Sequence, residues 1–237
     1  MKINWPAILC GCLVGPATAA IEQADVTGGT VWGIADNGVA AFKGIPFAAP
    51  PVGDLRWQAP QPVIPWSGVK QTTAFALPCA QDSGAAESSE DCLYLNIWTS
   101  ATSDGEKRPV MVWIHGGGFD HGATSSEVFD GTRFAQNGVV LVSIAYRLGA
   151  FGFLAHPDLR QESGKSSGAY ALEDQIAALQ WVKRNIHRFG GDPERVTVFG
   201  VSSGGISISL LAGSPAARGL FQRAISESGG EIGRAHV

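Results

Sequence analysis

Cysteine is scarce in this chain, basic stripes are missing from it, and no segment repeats. Its 237 residues carry 17 Lys and Arg against 21 Asp and Glu, a net charge of −4. Without a Lys/Arg stripe to neutralise phosphates, nucleic acid is excluded as the main partner. Only four cysteines occur, and two of them, Cys10 and Cys12, lie close to the start. The other two, Cys79 and Cys92, share their spacing with no His or acid cluster, so no metal site is expected. The apolar stretch at residues 5–14 is too short for a stable membrane span. The chain as a whole is 45% hydrophobic and 16% charged, ordinary globular material long enough to bury a large core.

The first residues read as an address. Met1-Lys2, the apolar stretch and the small-x-small pattern Ala17-Thr18-Ala19 predict a signal peptide over residues 1–19, with Ala20 opening the mature chain. Leu9-Cys10-Gly11-Cys12 is a poor match to a lipoprotein cleavage box. The protein is therefore expected to be secreted or periplasmic. In that oxidising setting Cys79 and Cys92 are expected to be bridged, at about 3 kcal/mol on the chain-entropy account. Two buried free thiols are the alternative.

The body of the chain alternates strand and helix signals. Residues 26–42 predict a hairpin, with turns at Gly28-Gly29 and Asp36-Asn37-Gly38. The Pro- and Gly-rich residues 44–62 predict a long irregular loop, held by Phe47, Trp57 and Trp66. Residues 93–98, 110–114 and 139–144 are continuous apolar runs, as strands covered on both faces require. Residues 125–136 read as helix or loop. Leu172, Ile176, Leu179, Val182, Ile186 and Phe189 recur at helical steps across 170–188, and Gly190-Gly191 closes that helix. Residues 196–199 give a strand, 203–211 a helix, Ser214-Pro215 the start of another helix, and 220–226 a possible further strand. This rhythm predicts an α/β fold with a mostly parallel central sheet and helices on both faces.

Two motifs carry chemistry. Val196-Thr197-Val198-Phe199 runs into Gly200-Val201-Ser202-Ser203-Gly204, which fits the G-x-S-x-G elbow that lifts a serine hydroxyl out of a sheet. Ser202 is the candidate nucleophile. Attack on a carbonyl creates an oxyanion, and the barrier falls only where donors already await that charge. His115-Gly116-Gly117-Gly118-Phe119 follows a strand and is the kind of loop that supplies them. The backbone N–H groups of Gly117, Gly118 and Ser203 are the candidate donors.

Longer stretches extend the match. Glu90-Asp91-Cys92-Leu93-Tyr94-Leu95-Asn96-Ile97-Trp98, the H-G-G-G-F loop, and the segment from Phe42-Lys43-Gly44 to Pro51-Val52-Gly53 resemble the type-B carboxylesterases, a branch of the α/β-hydrolases. So does the stretch from Ala178-Leu179-Gln180-Trp181-Val182 to Gly190-Gly191-Asp192-Pro193. The resemblance implies a Cys79–Cys92 bridge, an Arg56–Glu90 ion pair and a Pro-rich loop that helps wall the entrance gorge. It implies a small-molecule ester as substrate and no cofactor. Oligomeric state is not indicated. Val201 and Ser203 stand where the family usually has an acid and an Ala, which puts a preference for cationic substrates in doubt. Ala169 and Ala171 replace the usual Asn and Gly.

A triad in this fold runs Ser, then acid, then His. After Ser202 only Glu227, Glu231 and His236 are on offer, while His115, His121, His156 and His187 precede it. Residues 231–237 depart from the family pattern and equal the translation of a sequencing-library adaptor, GAGATCGGAAGAGCACACGTC. They are expected to be a read-through artefact. Residues 20–230 are then the N-terminal portion of a hydrolase domain truncated at its C-terminal side, inactive alone for want of a base. A catalytically silent adhesion or binding module, or a gene product with no function of its own, are the alternatives.

Overall fold

The computed structural model describes residues 19–82, 87–164 and 167–230. The expected signal segment up to residue 18 and the expected artefact at 231–237 lie outside the described residues. The chain opens with two hairpins, one joining β1 (Gln23–Val26) to β2 (Gly29–Trp32) and the other β3 (Ile34–Asp36) to β4 (Val39–Pro46). They turn where the Gly28 and Asn37-Gly38 signals predict. The proline-rich segment then runs largely without regular structure to the short β5 (Val69–Gln71). Its tryptophans anchor it, Trp57 Nε1 donating to Ala150 O and Trp66 Nε1 to Thr30 O, both at 2.9 Å.

The α/β part follows as β6 (Tyr94–Thr99), β7 (Arg108–Ile114), α1 (Thr132–Gln136), β8 (Val140–Ile144), α2 (Gly149–Phe153), α3 (Pro157–Ser163), α4 (Tyr170–Asn185), β9 (Gly191–Val201), α5 (Ser203–Gly213) and β10 (Arg223–Glu227). Seven strands form one sheet in the order β10-β9-β7-β8-β6-β4-β3. The four strands from β10 to β8 are parallel, and the other three continue antiparallel. The sheet is thus mixed, with a parallel half that carries the helix crossovers.

Side-chain alternation sorts its two faces. Val110, Val112, Ile114, Val196 and Val198 are fully buried among Leu179, Val182, Ile186 and Ile208 of the α4 and α5 layer. On the other face Met111 and Phe199 pack with Phe134 of α1 around Trp98 and Leu141. The pattern of α4 is displaced from the predicted stripe. Leu172 and Ile176 sit at its margin, while Ala171, Asp174, Gln175 and Ala178 are buried. Polar residues tolerate that position because each has a partner: Gln175 Nε2 donates to Ser207 Oγ at 3.0 Å, and Asp174 meets Arg147. The predicted helix after Ser214-Pro215 shrinks to the 3₁₀ turn Pro215–Ala217, with no cap bond from the Ser214 side chain. Gly219, at φ 78°, lies just beyond it. Among the described residues no helix is long and apolar enough to cross a membrane.

Candidate active site

Ser202 joins β9 to α5 at φ 56° and ψ −123°, a conformation that residues with a Cβ rarely adopt and that costs about 1–3 kcal/mol. The turn is held from both sides. Ser202 N–H donates to Glu227 O of β10 at 2.8 Å, and Ser202 O accepts from Ile206 N at 2.9 Å. Ser202 itself is exposed, and Ser203, Gly204 and Gly205 behind it are buried. The glycines are there for close approach. A Cβ on Gly200 would lie 2.5 Å from Ile114 O of β7 and 3.0 Å from Gly204 C of α5, so even Ala would push these backbones apart.

From Ile114 the chain enters the H-G-G-G loop. Gly117 and Gly118 take φ of 120° and 64°, and Gly117 O closes the turn by accepting from Asp120 N and His121 N at 3.2 and 3.1 Å. The loop seats directly on the elbow, since a Cβ on Gly116 would be 2.6 Å from Val201 O and 3.3 Å from Ser202 Cβ. The N–H groups of Gly117, Gly118 and Ser203 find no acceptor among the described residues. Ser203 is buried and Gly117 half-buried, and backbone donors so placed are seldom left without a partner. Three free donors on two adjoining segments beside an exposed serine make a site able to receive an anionic oxygen.

His115 supports this loop from below. It is buried, its Nδ1–H donates to Gly116 O at 2.9 Å, and its ring stacks on Tyr146 with centroids 4.3 Å apart. A carbonyl only accepts, so the proton sits on Nδ1. Burial first, then the neighbouring His121, hold its pKa down to about 4, against a raising hydrogen bond to Gly116. Folded His115 is therefore neutral where an unfolded one, near 6.5, already binds a proton. Stability contributed by His115 is whole above about pH 6.5 and is lost as pH falls towards 4, by up to about 1.4 kcal/mol per pH unit. Urea midpoints followed from pH 7 to 4.5 are expected to show this slope in the natural protein. A His115→Gln variant, less stable at neutral pH, lacks that part of it.

The other imidazoles lie elsewhere. His121 is exposed and pairs with Asp120 at 2.5 Å. His156 caps α3, its Nδ1 accepting from Asp158 N at 3.3 Å. His187 belongs to the 3₁₀ turn after α4. None bonds Ser202 among the described residues. Cys79 and Cys92 are joined, with Cα atoms 4.9 Å apart, and Arg56 grips Glu90 through Nε–Oε2 and Nη2–Oε1 contacts of 2.5 and 2.7 Å.

Sequence reasoning passed over Tyr146, Arg147 and Asp174. Asp174 is fully buried and accepts three hydrogen bonds from Arg147: the backbone N–H at 3.0 Å, Nε at 2.8 Å and Nη2 at 2.7 Å. This pair ties the end of β8 to α4. A charged residue on an otherwise helical pattern was the only available signal.

Strand order, chain direction and the turn at Ser202 fit one architecture, the α/β-hydrolase fold. The chain belongs to the carboxylesterase family, whose profile matches residues 17–237. It is 48% identical to the fumonisin B1 esterase of Sphingopyxis macrogoltabida, over 96% of this chain and 44% of that protein. It is also 48% identical to the para-nitrobenzyl esterase of Bacillus subtilis, over 85% and 42% of the respective lengths. A carboxylesterase structure from Geobacillus stearothermophilus superposes with a TM-score of 0.82 at 45% identity, covering 86% of this chain and 44% of that one. The chain spans less than half the length of these relatives.

Proposed function

We propose that the protein hydrolyses carboxylic esters through an acyl-enzyme on Ser202. The Ser202 hydroxyl attacks the ester carbonyl, and the N–H groups of Gly117, Gly118 and Ser203 receive the oxyanion. The alcohol departs, and water then releases the acid. The single observation that carries this reading is a strained, exposed serine at the junction of two segments whose Gly117, Gly118 and Ser203 N–H groups lack acceptors among the described residues. The base that accepts the serine proton, and the carboxylate that orients it, are assigned to the part of the relatives' length that this chain does not span. Val201 places an apolar side chain against the loop, with Cγ1 3.4 Å from where a Gly116 Cβ would be. Neutral esters suit that surrounding better than cationic ones. The Cys79–Cys92 bond supports export to an oxidising compartment.

A fluorophosphonate probe on the natural full-length protein tests the reading. Stoichiometric labelling on the peptide that contains Ser202, with loss of para-nitrophenyl ester hydrolysis in step, is expected. A folded sample that neither labels nor hydrolyses the ester overturns the proposal in favour of a binding module.

A further inference from the structure

Tyr146 follows β8, outside both motifs, yet its side chain touches both halves of the site. It is fully buried. Its O–H donates to His115 O at 2.7 Å, and its ring lies almost parallel to the His115 imidazole, at 13°. His115 in turn donates to Gly116 O, and Gly116 is the residue seated against Ser202. On its other side the Tyr146 hydroxyl faces Ser203 Oγ. The Ser203 hydroxyl is itself buried, without a hydrogen bond of standard geometry. A phenol has one proton to give and lone pairs to accept with. With the proton committed to His115 O, Ser203 O–H is the group placed to fill the acceptor side.

We propose that Tyr146 is a positioning residue that holds the H-G-G-G loop and the first residue of α5 at a fixed separation, so that the donors on the two segments converge on one oxygen. The inference rests on the esterase reading above. A hole built from two separate backbone segments works only if their spacing is fixed before charge develops, because reorganisation at the moment of reaction raises the barrier. The phenol is the described side chain that contacts His115 at one end of that span and Ser203 at the other. It is itself immobilised, because the next residue is Arg147, whose backbone N–H and guanidinium are both bound by Asp174. Burial pushes the Tyr146 hydroxyl up from its ordinary range, so it stays a donor at any working pH. Ser203, where the resemblance leads one to expect Ala, adds a hydroxyl to this link.

The test uses Tyr146→Phe in the natural full-length protein, which keeps the ring stacked on His115 and removes only the oxygen. Expected is a fall in kcat of about tenfold or more with KM within twofold, since the effect belongs to the transition state. Affinity for a trifluoromethyl ketone, which forms a tetrahedral adduct, falls by the same factor as kcat/KM. In Ser203→Ala, kcat drops by less, and the same change made on top of Tyr146→Phe costs nothing further, because Ser203 acts through the phenol. A Tyr146→Phe protein that is only less heat-stable, with kcat and inhibitor affinity within twofold of the parent, overturns this proposal while the esterase reading stands. Additive losses in the double variant overturn it as well. A natural protein that neither labels nor turns over ester overturns both.

Discussion

Ser202→Ala is expected to abolish ester turnover, lowering kcat by about a millionfold if the triad acts as a unit. Ser202→Gly should do the same, yet the two proteins should differ in stability. The backbone at this position sits at φ 56° and ψ −123°, and β10, α5 and the H-G-G-G loop impose that conformation. Ala keeps the Cβ and therefore the strain, on the order of 1–3 kcal/mol. Gly removes the strain but adds about 0.5–1 kcal/mol of chain entropy lost on folding. Ser202→Gly should therefore be more stable than Ser202→Ala by about 1 kcal/mol, as read from urea midpoints at equal slope. A more stable, wholly inactive variant is the signature of strain kept for function. A Ser202→Gly protein less stable than Ser202→Ala by about 0.5–1 kcal/mol, the entropy difference alone, would show that the elbow stores none.

The same elbow explains what was legible in the sequence. Gly200, Gly204 and Gly116 occupy positions where the backbones of β7, β9 and α5 nearly touch. A need for no side chain leaves a mark that a sequence can display. Continuous apolar runs gave β6 to β9 for a like reason, because a strand covered on both faces has no polar side to show. Less could be read where a residue's meaning lies in a partner distant along the chain. Asp174 reads as a solvated helix face until Arg147, 27 residues earlier, is seen beside it. Tyr146 reads as core until His115 and Ser203 are placed around its oxygen. The antiparallel half of the sheet depends on pairings such as that of β4 with β6, which local pattern does not encode. His156 illustrates a smaller miss. It begins α3, a helix too short to show a periodic stripe, and it caps that helix with a ring nitrogen.

Asp174→Ala is expected to cost about 3–5 kcal/mol, the range for leaving a buried charge without its partner. The loss falls on a guanidinium that is already short of partners, since Arg147 Nη1 has none, and its side chain is only 3% exposed. Water cannot reach the cation without opening the contact between α4 and the end of β8. Arg147→Ala should cost a similar amount by stranding the carboxylate. Arg147→Met combined with Asp174→Leu should lose much less than either alone, because an apolar pair of similar volume removes both desolvation penalties together. Equilibrium unfolding of the three variants measures this coupling, and losses that simply add would show that the pair is not held as an ion pair in the core. Activity should follow a different order from stability. The apolar pair restores the packing but not the bond from Arg147 N–H to the Asp174 carboxylate, which anchors the backbone next to Tyr146. The double variant is therefore expected to melt close to the parent while hydrolysing esters several-fold more slowly, the stability lying in the core and the rate in the placement of one phenol.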